Sequence, residues 1–319
     1  MYFPYLRGRQ FELIALRELV YNNLLGDYMV PIVEPVKLSS TLINTIEDYI
    51  KKEHLISVVR YPAVGSFIKD MQDSKEKTKQ FDNKKKFCSL FNKEFVIKAL
   101  IMKEDSPSHL KYWSEKGVNK NDWLIIHDNQ NFLPMYQQEF EDILPKYVLV
   151  PDKSTFRRRI KRNRILLEDK FNKLSRNVDY QDITDEVFSD DHLFYKDDGF
   201  KGFSDYSVVG DEYLESGFAP YAVVIHIVYF AADDSLRIKH FVSDSNEDIT
   251  NPAKKFYEAL RKLISWYESE TPELTLGLQT FLTHYKEQTY PGLGSVKKLS
   301  IMHHLELMGK YLTKLGQSE

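Results

Sequence analysis

The chain has 319 residues, a formal net charge of −3, and 42% hydrophobic, 29% charged and 13% aromatic residues. That composition excludes a disordered or fibrous chain, and a near-neutral balance excludes a global pull toward nucleic acid or anionic membrane, so any such contact must come from a local patch. The single cysteine, Cys88, excludes an internal disulfide and fits a reducing cytosol. No apolar run approaches the roughly 18–20 residues of a bilayer span, and the opening residues lack the order of a signal peptide. A cytoplasmic protein without membrane contact is expected.

The chain opens on an apolar run, Met1–Leu6, that stops at Arg7; helical spacing of Phe11, Ile14, Ala15, Leu19 and Leu25 follows. Gly26 and Asp27 close that helix, and a second run, Met29–Val33, ends at Glu34. Ser39, Ser40 and Thr41 supply cap chemistry for a helix carrying Leu42, Ile43, Ile46, Tyr49 and Ile50, before a third run, Leu55–Val59, ends at Arg60. Residues 65–93 are less regular, and the lysine-rich stretch Lys69–Lys86 reads as exposed helix and loop. Phe95–Met102 ends at Lys103, and Ser106-Pro107 starts another helix. Trp123–Ile126 ends at His127 and Asp128, a helix begins near Pro134, and Tyr147–Val150 ends at Pro151 and Asp152.

Beyond that point the rhythm changes. A long basic helix is expected from Thr155 to about Leu174, then an acidic, aromatic stretch from Tyr180 to Gly217 with a strand near 203–210. Ala222–Phe230 and Leu236–Val242, separated by a short turn-rich segment, predict a hairpin. Two helical stretches, Pro252–Glu268 and Val296–Leu315, complete the chain.

Continuous apolar runs mark strands buried on both faces, and strands alternating with helices imply parallel pairing. Six such units plus later strands predict an α/β protein of (β/α)-barrel type, with an open doubly wound sheet as the alternative. Arg7-Gly8-Arg9-Gln10 lacks the glycine spacing of a dinucleotide loop, which favours the barrel. The expected division is a barrel domain at 1–245, including the strands near 203–210 and 222–242, and a helical portion at 246–319.

Polar residues at strand ends lie where such folds place their sites. Arg7, Glu34, Arg60, Lys103, His127, Asp128, Asp152 and Asp205 would converge on one mouth. Glu34, His127, Asp128, Asp152 and Asp205 are the candidate catalytic groups, and Glu34, Asp128 and Asp152 are candidate ligands for a divalent cation such as Mg²⁺. Arg7, Arg9, Arg60, Lys153, Arg157, Arg158 and Arg162 are candidates for binding phosphate or nucleic acid. The competing reading is that these residues cap helices and pair with one another. Six of the nine residues Phe156–Arg164 are basic, and cations at a helix N-terminus oppose the macrodipole unless an anion joins them. Lys75, Lys77, Lys79, Lys84, Lys85 and Lys86 read as a solvated face or a second polyanion contact. For His303-His304 the expectation is one buried and one exposed ring.

The stretch Tyr2–Leu16, followed by Val30-Pro-Ile-Val-Glu-Pro35, resembles the uncharacterised beta protein family of phages and bacteria. Phe203–Val209 and the late segment from Pro291-Gly292 to His303-His304 resemble its C-terminal part. The resemblance marks Arg7, Glu12, Glu34, Asp205 and Tyr206. It implies a barrel-like α/β fold and a setting in phage–bacterium conflict or on mobile elements, with bacterial members often beside a nuclease-like partner. The resulting expectation is a component of an anti-phage or mobile-element system that recognises a phosphate-bearing ligand or nucleic acid. The alternatives are a metal-dependent phosphodiester hydrolase and an inert scaffold.

Overall fold

A computed structural model describes residues 1–73, 75–215 and 220–317, so Gly217, the expected end of the acidic stretch, lies outside the described residues. The strands are β1 (Tyr5–Leu6), β2 (Ile32–Val33), β3 (Ile56–Val59), β4 (Val96–Ile101), β5 (Trp123–Ile126), β6 (Tyr147–Val150), β7 (Arg164–Leu167), β8 (Asp185–Ser189), β9 (Gly202–Ser204), β10 (Val224–Phe230) and β11 (Leu236–Val242). The helices are α1 (Gln10–Tyr21), α2 (Ser40–Lys51), α3 (Phe67–Gln72), α4 (Lys79–Leu90), α5 (Ser106–Ser114), α6 (Leu133–Glu139), α7 (Ser154–Arg159), α8 (Asp191–Phe194), α9 (Pro252–Glu270), α10 (Leu276–Glu287) and α11 (Leu293–Gly316). No helix among the described residues is long and apolar enough to cross a membrane.

The chain divides into two units, the first comprising Met1–Leu13, Tyr28–Glu168 and Phe194–Asp205. It is a nearly closed parallel barrel of the expected (β/α) type, its eight strands hydrogen-bonded in the order β1-β2-β3-β4-β5-β6-β7-β9. The ring comes round through Phe3 N–H to the Phe203 carbonyl (2.8 Å) and Tyr5 N–H to the Asp205 carbonyl (2.8 Å). Gly202 permits that closure: a Cβ there would stand 2.5 Å from the Met1 carbonyl oxygen. Strand residues such as Ile32, Val58, Ala99, Leu124, Leu149 and Ile165 are fully buried, as double-faced strands require. Between β2 and β3 the local code reads directly: Ser39 Oγ accepts from Leu42 N–H (3.1 Å) and caps α2.

The expected long basic helix is corrected to the six-residue α7, a connection and β7. Ile160 turns extended, and Asn163 adopts a left-handed φ of 58° while its amide donates to the Pro145 carbonyl (2.7 Å). Asparagine is among the residues that tolerate this conformation. The chain can then return to the start of the barrel, and Ile165–Leu167 pair with β6 on one side and β9 on the other.

The second unit comprises Ile14–Asp27, Asp169–Leu193 and Tyr206–Glu319, its described part ending at 317. The hairpin forms with Phe230 opposite Leu236 as the turn chemistry implies. It is not part of the barrel, however: with β8 it makes a separate antiparallel sheet in the order β10-β11-β8. The division therefore falls elsewhere than the expected boundary at 245. The C-terminal region holds three helices, not two, and the apolar residues of α11 carry the unit's core with Ile301, Met302, Leu305 and Met308 buried.

Candidate functional site

All eight barrel strands run the same way, so their C-terminal ends share one face. Arg7, Glu34, Arg60, Lys103, His127, Asp128, Asp152, Lys153 and Asp205 all follow the C-terminal ends of these strands and so share that end of the barrel. Glu168, directly after β7, completes the ring and escaped notice because its strand lay hidden in the basic stretch.

Two of the carboxylates are fully inside the protein. Glu34 is 0% exposed; its Oε2 accepts from Tyr5 Oη (2.8 Å) and pairs with Arg7, and its Oε1 accepts from Ala63 N–H (2.6 Å). The last bond depends on the loop after β3. There Gly65 has φ +74°, and a Cβ would lie 2.1 Å from the Val36 carbonyl oxygen, so only glycine lets the loop press against the chain leaving β2. Asp205 is likewise buried and accepts from Tyr2 Oη (2.8 Å); burial and the neighbouring carboxylate hold that phenol well above its usual range. Glu12, also buried, accepts from Arg9 N–H (3.3 Å) at the start of α1. Glu34 and Asp205, both strand-end residues, are placed as internal partners, and Glu12 is held at the start of its own helix.

His127 sits in an aromatic sleeve. It is 0% exposed, its ring centroid 4.8 Å from that of Tyr136 and 5.9 Å from that of Phe156. Among the described residues neither ring nitrogen has a hydrogen-bond partner, and burial pushes its pKa down to about 3. It stays neutral near pH 7 and does not line the basin described below.

Glu34, Asp128 and Asp152 do not assemble into the expected cation site. Glu34 is enclosed, whereas Asp128 and Asp152 are exposed, and Asp152 pairs with Arg157 at 3.0 Å. Among the described residues no group of three or more His, Cys, Asp or Glu side chains is placed to hold a metal ion.

The candidate cations separate by environment. Arg7 and Arg157 have carboxylate partners, and Arg158 projects from the exposed side of α7. Arg162 precedes β7 and so belongs to the opposite end of the barrel, where with Gln137, Arg159 and Lys161 it lines an open depression of about 730 Å³. Arg9 stands just before α1. Arg60, Lys103 and Lys153 differ: among the described residues none of them has a carboxylate partner. Lys103 and Lys153 line an open basin of about 550 Å³ with Asp128, Asn129, Gln130, Phe132 and Phe156. Arg60, at the end of the strand next to that of Lys103, lies 4.8 Å from the Tyr61 ring and 5.9 Å from that of Trp113. The Tyr61 ring stacks on His109 (3.6 Å between centroids), and Trp113 Nε1 donates to Tyr61 Oη (3.1 Å). Burial, with opposition from Asp105, lowers the His109 pKa, and Arg60 and Lys103 lower it further, which places both cations near one ring. The mouth therefore combines three cations without carboxylate partners among the described residues with half-buried aromatic rings and amide side chains. The aromatic share, Tyr61, His109 and Phe132, was missed; their position two to eight residues past a strand end was the available signal.

Comparison with protein-family models, with curated proteins and with solved structures finds no match to this chain.

Proposed function

We propose that the C-terminal mouth of the barrel recognises a phosphate-bearing ligand, a nucleotide or a nucleic-acid end, and does so without chemistry of its own. The observation that carries this reading is the trio Arg60, Lys103 and Lys153, unpaired at the mouth while Arg7 and Arg157 have carboxylate partners. Cations left without carboxylates are suited to charge-assisted bonds with phosphate oxygens. The half-buried Phe132 ring in the same basin suits a base, with stacking contributing about 1–3 kcal/mol per base. The hydrolase alternative lacks a comparable support, because its carboxylates are enclosed or dispersed.

The resemblance of Tyr2–Leu16 and Val30–Pro35 to the beta protein family supports a wider setting. In that setting the protein is the recognition component of a bacterial anti-phage or mobile-element system and works with a nuclease-like partner encoded nearby. Fluorescence anisotropy with a 5′-phosphorylated single-stranded oligonucleotide tests the first half. Changing Lys103 and Lys153 together to Glu should weaken binding at least about tenfold and lower the salt slope by about two charges' worth. Unchanged affinity and slope would refute the mouth as the contact. Co-purification with the neighbouring gene product tests the second half, and its absence from a stoichiometric complex would count against the partnership.

A further inference from the structure

The second unit holds a chain of three titratable side chains that the mouth does not use. The register of the hairpin puts His226 of β10 directly opposite His240 of β11. Directly opposed residues of an antiparallel pair share a face of the sheet. Their Nδ1 atoms are 2.7 Å apart, so one donates and the other accepts. Glu186 on β8 decides which: its Oε1 lies 3.1 Å from His240 Nε2, and a carboxylate only accepts. Nε2 of His240 therefore carries the ring proton, and Nδ1 of His240 is the acceptor. It follows that Nδ1 of His226 donates and Nε2 of His226 is left as a bare lone pair.

That nitrogen belongs to a side chain lining a cavity of about 220 Å³ within the same unit. The His226 ring is held edge-on between Phe171 (5.0 Å) and Tyr180 (4.9 Å), which fixes its aim. Tyr180, Val209 and Val296 make apolar walls, and Asn177, Ser300, Lys297 and Lys173 add polar groups, Lys173 being paired with Glu212 at 2.8 Å. No Asp or Glu is among the described lining residues, and the Lys297 charge is near enough to oppose protonation of His226, after the larger effect of burial and alongside His240. Apolar walls with a few convergent polar groups are the usual make-up of a small-molecule site.

We infer that this cavity binds a small organic anion whose apolar body carries a hydroxyl or amine donor, the donor meeting Nε2 of His226 and the anionic group facing Lys297. The inference is independent of the reading of the barrel mouth. A ligand without the donor leaves the acceptor nitrogen unsatisfied, and one without the charge forgoes the cation.

Isothermal titration calorimetry of the full chain tests this with 3- and 4-hydroxybenzoate as probes, against benzoate and 4-hydroxybenzyl alcohol. At least one hydroxybenzoate should bind at least about tenfold more tightly than either control. His226→Phe keeps the ring packing and removes the acceptor; it should bring the hydroxybenzoate down to the affinity of benzoate and leave benzoate unchanged. Lys297→Met, at an exposed position and checked for unchanged thermal unfolding, should weaken the hydroxybenzoate and benzoate alike while sparing the alcohol. No binding of either hydroxybenzoate at millimolar concentration overturns the inference, and so does equal affinity in wild-type and Lys297→Met protein. The Lys103→Glu, Lys153→Glu double variant should bind these probes as the wild type does, so failure of the mouth reading and failure of this one are told apart.

Discussion

At Glu34 a single carboxylate joins three segments: Tyr5 and Arg7 from the first strand and its exit, and Ala63 from the loop after β3. A buried charge held this way is costly to orphan, because removing one partner leaves the other desolvated and unpaired. Glu34→Ala should therefore destabilise the protein by about 3–5 kcal/mol, read as a lowered urea midpoint. If Glu34 were instead a reacting group exposed to ligand, the same change would leave stability nearly intact. The sequence shows that Glu34 ends a strand. It does not show that the carboxylate faces inward, since Tyr5 lies 29 residues away and the pair meets only when β1 and β2 align. Asp205 is a stronger case, with its partner Tyr2 separated by 203 residues. His127 follows the same logic: its place after β5 was legible, but the sleeve of Tyr136 and Phe156 that keeps it neutral comes from α6 and α7.

The elements themselves were legible in proportion to how local their signals are. Apolar runs bounded by a charged or polar residue marked six of the eight barrel strands, because a strand covered on both faces offers few polar positions until it ends. The same signal stands at Ile165–Leu167, bounded by Glu168, yet a stripe of Phe156, Ile160, Leu167 and Phe171 at helical spacing competed with it. Pairing with β6 and β9 decided in favour of the strand. Loops were less legible still. The connection after β3 is positioned by Gly65, whose positive φ and contact with Val36 leave no room for a side chain. Gly65→Ala should cost about 1–3 kcal/mol and loosen the Ala63 bond to Glu34. Thermal unfolding measures the first effect and amide hydrogen exchange at Ala63 the second; wild-type values for both would contradict this account of the loop.

For the whole molecule, buried neutral histidines set the acid limit, among them His127 in the barrel unit, and His303 and His304 in the second, with His192, His226 and His240 shifted in the same direction by burial. The expectation of one exposed ring at 303–304 is corrected. His303 is held by Thr275 Oγ1 (2.7 Å) and the Val228 carbonyl (2.6 Å), and His304 by Ser207 Oγ (3.0 Å). Burial is the main cause that pushes His303 to about 4 and His127 and His304 to about 3. Their folded pKa values lie below the unfolded value of about 6.5, so the unfolded state binds more protons between these limits. Stability is then fully present above about pH 6.5 and falls as pH drops toward 4, by up to about 1.4 kcal/mol per pH unit for each group. Urea midpoints measured from pH 7 to 4.5 should decline steeply, and His127→Phe should make the decline shallower by up to about 1.4 kcal/mol per pH unit. A flat profile would show that these rings are not neutral in the fold.

By itself the sequence determined the alternation of buried strands and helices, and with it a parallel barrel whose polar strand ends share a mouth. Those features follow from periodicity and burial, which a chain carries locally. Only the tertiary structure decided which of the polar ends bind one another and which are left facing outward. It also decided that 164–167 is a strand, that the late hairpin joins β8 instead of the barrel, and that Glu186, His240 and His226 form one hydrogen-bonded chain. Each of those outcomes depends on strand register and on groups brought together from distant positions, where the energy of burying or pairing a charge is settled by neighbours that the local sequence does not contain.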